Sequence, residues 1–204
     1  AGAATTGALA TEVVVADVKV PWGMVWLPDG DMLVTERRGE LLRVREGKVV
    51  ASVSGLPDVH VKGQGGLLDI ELHPDHASNS WLYLTYSSPE GQGNGSNTAL
   101  LRARLSGNRL TDQQVLYKAT PNTNRGQHYG SRIEFDAEGF LYFSVGDRGN
   151  RDQNPQDVTR DGGKVYRLND DGSVPADNPF ADQAGAGAAV FSYGHRNPQG
   201  MARH

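Results

Sequence analysis

The chain has 204 residues, 37% of them apolar or aromatic and 22% charged, with 26 Gly, 10 Pro and no Cys. Its 20 basic and 24 acidic residues leave a formal charge of −4 with the signs mixed, so no basic patch offers itself to nucleic acid or anionic lipid. That composition excludes a collagen, a disordered tail, a disulfide or thiolate-metal scaffold and a Cys nucleophile, and no run approaches the ~20 apolar residues of a membrane span.

Residues 1–11 are an expected lead-in, since Ala1 to Ala10 are small and polar and lack the basic start and apolar core of a signal peptide. From there strand patterns dominate, and no segment sustains a helical period. A first unit runs from Gly23 to Leu27, turns at Pro28-Asp29-Gly30-Asp31, and continues through Met32 to Thr35, Glu40 to Val44 and Val49 to Val53. A second runs from Leu67 to Leu72, turns at His73-Pro74-Asp75, and continues through Trp81 to Tyr86 and Thr98 to Leu105. A third runs from Ser131 to Phe135, turns at Asp136-Ala137-Glu138-Gly139, and returns as Phe140 to Val145 and, after a long polar insertion, Lys164 to Leu168.

Pro presets φ near −65° and Gly accepts positive φ, so each turn reverses the chain at the same point of its unit and the units are antiparallel meanders. Pro28, Pro74 and Asp136 stand 46 and 62 residues apart, which brackets the period of propeller blades. An all-β propeller is the expected fold; a β-sandwich would show evenly spaced strands without recurrence of whole units. Gly200 to His204 lines up with Gly23 to Leu27 as the start of a fourth unit. Residues 12–204 are therefore expected to form an incomplete propeller, with the remaining C-terminal part of the ring outside this chain.

Polar residues in the loops at one end of the blades are the candidates for chemistry. Gln64 lies in Lys62-Gly63-Gln64-Gly65-Gly66, an entry loop that is a ligand contact or only a bend; with a strand and no helix after it, it is not a phosphate loop. His128, in the segment Asn124 to Arg132, is either a proton acceptor or an ordinary surface residue. Asp147, in Gly146-Asp147-Arg148-Gly149, follows the second strand of the same unit, at the end of the sheet where the first strand enters, so it can face His128 or form a simple turn. Arg196 and Asn197, in Tyr193 to Gly200, offer bidentate and donor–acceptor groups suited to an anionic, carbonyl-bearing ligand. Elsewhere, His73-Pro74-Asp75-His76 fills a turn rather than a zinc site, and Asp147 to Asp157 lacks the spacing of a calcium loop.

Taken as a set, Gln64-Gly65-Gly66-Leu67-Leu68, the His128 segment, Gly146-Asp147, Gly163 to Leu168 with Asp171 to Pro179, and Gly194 to Gly200 resemble the soluble pyrroloquinoline quinone (PQQ)-dependent aldose sugar dehydrogenases, relatives of soluble quinoprotein glucose dehydrogenase. The resemblance implies a six-bladed propeller, of which this chain supplies about three blades and the start of a fourth. It further implies PQQ and calcium as cofactors, an aldose substrate, an external electron acceptor and a periplasmic or secreted setting. By the same resemblance His128 matches the catalytic base, Asp147 the carboxylate supporting it, and Gln64, Arg196 and Asn197 the cofactor contacts, while the calcium ligands are expected outside this chain. Two other functions compete with this one: a calcium-dependent lactonase-type hydrolase and a non-catalytic extracellular binding module.

Overall fold

The computed structural model describes residues 9–183 and 185–203. Residues 1–8 of the expected lead-in, and His204, lie outside the described residues. Among the described residues twelve strands form three sheets, each of four antiparallel strands in sequence order. The first holds β1 (Pro21–Trp26), β2 (Met32–Glu36), β3 (Glu40–Arg45) and β4 (Lys48–Ser52). The second holds β5 (Leu67–Leu72), β6 (Trp81–Ser88), β7 (Asn97–Ser106) and β8 (Arg109–Lys118). The third holds β9 (Ile133–Phe135), β10 (Leu141–Val145), β11 (Lys164–Leu168) and β12 (Val190–Tyr193). Three meanders rather than two facing sheets leave no room for the sandwich.

The predicted turns do the reversing. Gly30, at φ 88°, donates to the Leu27 carbonyl, and Gly139, at φ 87°, donates to that of Asp136. The period-2 alternation of β6 explains how the sheets stack. Leu82 and Leu84 face the first sheet, packing with Val25, Leu33 and Leu41, while Tyr83 faces the third with Phe135 and Phe143. A sheet buried on both faces must carry apolar residues at successive positions, as β6 does.

A polar repeat ties one unit to the next. On the second strand of each sheet a hydroxyl accepts an N–H from its own unit and donates to a carbonyl at the entrance of the following one. Thr35 accepts from Gly23 and donates to Leu68 at 2.5 Å. Thr85 accepts from Asp69 and donates to Ser131 at 2.6 Å, and Ser144 accepts from Arg132 and donates to Pro198 at 2.7 Å. By this register Gly23, Asp69 and Arg132 are equivalent, and Gln199, not Gly200, takes the same place in the next unit.

Three expectations need correction. β8 and β12 were absent from the strand pattern: β8 is an outer strand exposed from Asp112 to Val115, so no alternation marks it. His76–Asn79 form one helical turn inside the second unit's reversal, where no helix was expected, with His73 accepting from the Asp75 N–H and His76 bonded to the Trp81 carbonyl. Gly200 to Arg203, expected to open a fourth unit as a strand, carry none.

Candidate active site

The segment before β9 is bent into an uncommon backbone path. His128, Gly130 and Ser131 take φ of 55°, 64° and 88°, a left-handed region that costs a non-glycine residue about 1–3 kcal/mol. Side-chain amides from two other loops hold it there: Gln64 Oε1 accepts the His128 N–H at 2.7 Å, and Asn197 Oδ1 accepts that of Gly130 at 2.9 Å. Beneath it Gly146 has no room for a side chain, since a Cβ there would lie 2.2 Å from the His128 carbonyl oxygen.

That close approach places Asp147 against the imidazole. His128 Nδ1 and Asp147 Oδ1 are 2.6 Å apart, with both residues buried. An ionised carboxylate only accepts, so Nδ1 carries the proton and Nε2 keeps its lone pair. Nε2 makes no hydrogen bond among the described residues. Asp147 Oδ1 also accepts from the Gly149 N–H at 2.6 Å, whereas Oδ2 is buried without a partner. The Asp147 N–H donates to the Arg196 carbonyl at 2.8 Å, which fastens the fourth loop to the pair.

All five predicted residues therefore converge, but not all by the expected atoms. Gln64 and Asn197 spend their carbonyl oxygens on the His128 segment and keep only their NH₂ groups for a ligand. Arg196 contributes its backbone to Asp147, and its exposed guanidinium has no partner among the described residues. The glycines around Gln64 serve close packing: a Cβ on Gly63 would meet the Gly126 carbonyl oxygen at 2.2 Å, and one on Gly66 the Arg37 carbonyl oxygen at 1.7 Å.

Sequence reasoning missed the residues that steady the third unit's insertion. Lys164 is fully buried and donates to the carbonyls of Asn154 and Gly162, while Asn154 Nδ2 donates to the Asp147 carbonyl at 3.1 Å. Burial holds the Lys164 ammonium down to about 8. Its only sequence signal is a cation placed at an inward strand position. A cleft of roughly 550 Å³ lined by Tyr117, Lys118, Arg160 and Asp161 lies beside this insertion and includes none of the five site residues. His128 and Asp147 are buried, while Gln64 and Arg196 are exposed beside them. The donor set of this site (the Arg196 guanidinium and the Gln64 and Asn197 amides) fits a polycarboxylate quinone. Among the described residues no group of three or more His, Cys, Asp or Glu could hold a metal ion.

Comparison with known proteins finds that the family model described as Glucose / Sorbosone dehydrogenase matches residues 18–204. Aldose sugar dehydrogenase YliI of Escherichia coli is 42% identical over 186 residues, covering 89% of this chain and 50% of that protein. Among solved structures, the apo-form of the soluble aldose sugar dehydrogenase from Escherichia coli is 39% identical with a TM-score of 0.85, covering 91% of this chain and 54% of that one. The PQQ-bound form of aldose sugar dehydrogenase from Streptomyces coelicolor is 32% identical with a TM-score of 0.76, at 91% and 54% coverage. The chain spans about half the length of the curated relatives it matches.

Proposed function

We propose, on the premise that this chain belongs to the Glucose / Sorbosone dehydrogenase family, that it forms part of a six-bladed propeller oxidising aldose sugars at C1 to lactones with PQQ. The observation that carries the proposal is the buried His128–Asp147 pair at 2.6 Å, whose Nε2 has no partner among the described residues and whose segment is held by Gln64 and Asn197.

In this reading His128 Nε2 takes the proton of the C1 hydroxyl, and Asp147 stabilises the positive charge that arrives on the ring. PQQ, held by Arg196, Gln64 and Asn197, would supply the acceptor for the C1 hydrogen and its electron pair, which leaves the C1–O bond as the lactone carbonyl. Arg196 pairs with carboxylate or quinone oxygens, and the Gln64 and Asn197 NH₂ groups donate to the same ligand. The bonds from Gln64 Oε1 and Asn197 Oδ1 keep the imidazole aimed while this occurs. Calcium enters through the family resemblance alone, and no step here depends on it.

The test is to titrate the intact protein with PQQ and calcium and record dye reduction with a panel of aldoses. Sugar-dependent reduction is expected, and a His128→Ala variant should still bind PQQ but lose about 10²–10⁴ in rate. Absence of a cofactor spectrum, or unchanged turnover in the variant, would refute the proposal.

A further inference from the structure

The residues that immediately follow Gln64, His128 and Asp147 are Gly65, Tyr129 and Arg148, and Tyr129 touches both of the others. Arg148 is 1% exposed, and its guanidinium carbon lies 3.5 Å from the Tyr129 ring centroid. The hydroxyl end of that ring also lies against Gly65. A Cβ on Gly65 would meet Tyr129 Cζ at 2.7 Å, and its φ is not left-handed, so glycine is needed there for space alone.

Arg148 has no carboxylate partner. It donates instead to the carbonyls of Gln127, Arg125 (2.5 Å) and Ser96 (3.2 Å) and to the Thr123 hydroxyl (3.2 Å). Three of these four acceptors lie in the stretch that leads into His128. Burying an unpaired cation is costly, and desolvation does pull the Arg148 pKa down. Tyr129 is anchored in turn, its hydroxyl bonded to Ser96 Oγ at 2.8 Å and its carbonyl accepting from Thr98 at 2.7 Å. A planar five-donor group can gather four acceptors and still lie flat on a ring, which an ammonium cannot.

We infer that Gly65, Tyr129 and Arg148 form a buried positioning column, holding three loops of different origin in register so that Gln64, His128 and Asp147 meet. Its catalytic consequence rests on the function proposed above; its structural content does not.

The experiment compares Arg148→Met, Arg148→Lys and Tyr129→Phe in the intact protein without cofactor or sugar, by amide hydrogen exchange. The His128 and Gly130 N–H groups report the site, and those of Leu84 and Phe143 report the core. Arg148→Met should speed exchange at His128 and Gly130 by about tenfold or more while Leu84 and Phe143 stay within about twofold. Arg148→Lys should fail to restore protection, whereas Tyr129→Phe, which keeps the ring face, should hold it. Gly65→Ala, which pushes the ring away, should copy Arg148→Met and serves as the second test if that variant does not fold. Exchange that rises equally at site and core, or does not change at the site, overturns the column. In the PQQ-loaded protein Arg148→Met should lower kcat by about 10²-fold with sugar KM nearly unchanged, since misplacement costs rate before binding. If wild-type protein with PQQ oxidises no aldose, the proposed function fails while the exchange pattern still decides the column.

Discussion

Replacing Asp147 with Asn tests the site most sharply, because the geometry dictates which way the new carboxamide points. In the wild type, Oδ1 accepts both His128 Nδ1–H and Gly149 N–H at 2.6 Å. A carboxamide NH₂ at that position would face two donors, so the oxygen must stay there and the NH₂ must take the place of Oδ2. The imidazole then keeps its tautomer and loses only the charge-assisted part of its support. A hydrogen bond to a charged group is worth about 1.5–3 kcal/mol against about 0.5–1.5 kcal/mol for a neutral one, and the difference of about 1–1.5 kcal/mol, at about 1.4 kcal/mol per tenfold, predicts a kcat loss of about 5–12-fold. The NH₂ meanwhile takes the place of Oδ2, which is buried and finds no donor among the described residues. The assay is dye reduction by PQQ-loaded protein at saturating aldose, paired with a urea melt of the same preparation. A kcat loss near 10⁴, the size that accompanies a tautomer switch, would refute the orientation argument. A loss under about threefold would remove Asp147 from the support of His128.

Thr85→Val keeps the side-chain shape but leaves the Asp69 N–H and the Ser131 carbonyl without their 3.0 and 2.6 Å partners. The expected cost is about 1–3 kcal/mol per group by urea denaturation, with Thr35→Val of similar size; a change under about 0.5 kcal/mol would show that the hydroxyl bridge is incidental. Burial, aided by the nearby Asp69 and Glu134 and opposed by Arg132, pushes the Glu71 carboxyl up to about 7. A raised acid favours the folded state while it is protonated. Its contribution is thus fully present below the ordinary carboxylate range and is lost as pH rises through about 7. Glu71 is partly exposed, so the screened effect is on the order of 1 kcal/mol between pH 5 and 8. Glu71→Gln should flatten that slope, and an unaltered slope would dismiss Glu71 as its source.

The units were legible because their turns are chemical events: Pro28-Asp29-Gly30 and Asp136 to Gly139 reverse the chain by known backbone preferences, and the strands between them follow. The meeting of His128 and Asp147 was legible for a topological reason, as neighbouring antiparallel strands enter and leave at one end. The actual employment of Gln64 and Asn197 was not. A sequence shows two amides suited to a ligand, but it does not show that left-handed turns at His128 and Gly130 leave backbone N–H groups for them to satisfy. Arg148 was hidden more deeply, since an arginine flanked by Asp147 and Gly149 looks like a surface turn until three loops close over it. β8 escaped notice because an outer strand owes its place to backbone pairing rather than to its own side chains.

The hydroxyl repeat also gives the fold a direction in time. The bonds by which Thr35, Thr85 and Ser144 leave their own units all run forward along the chain, by 33, 46 and 54 residues. A unit leaving the ribosome can therefore close its own ladders at once, but its second strand stays chemically unfinished until the entrance of the next has emerged. Each unit is completed by its successor, so the molecule is built like a row of clasps fastened one behind the growing end. The second clasp to shut, Thr85 on Ser131, is the one that fixes the far side of the bend in which His128 sits. Closure of the His128 bend thus needs both the second unit's Thr85 and the third unit's entrance.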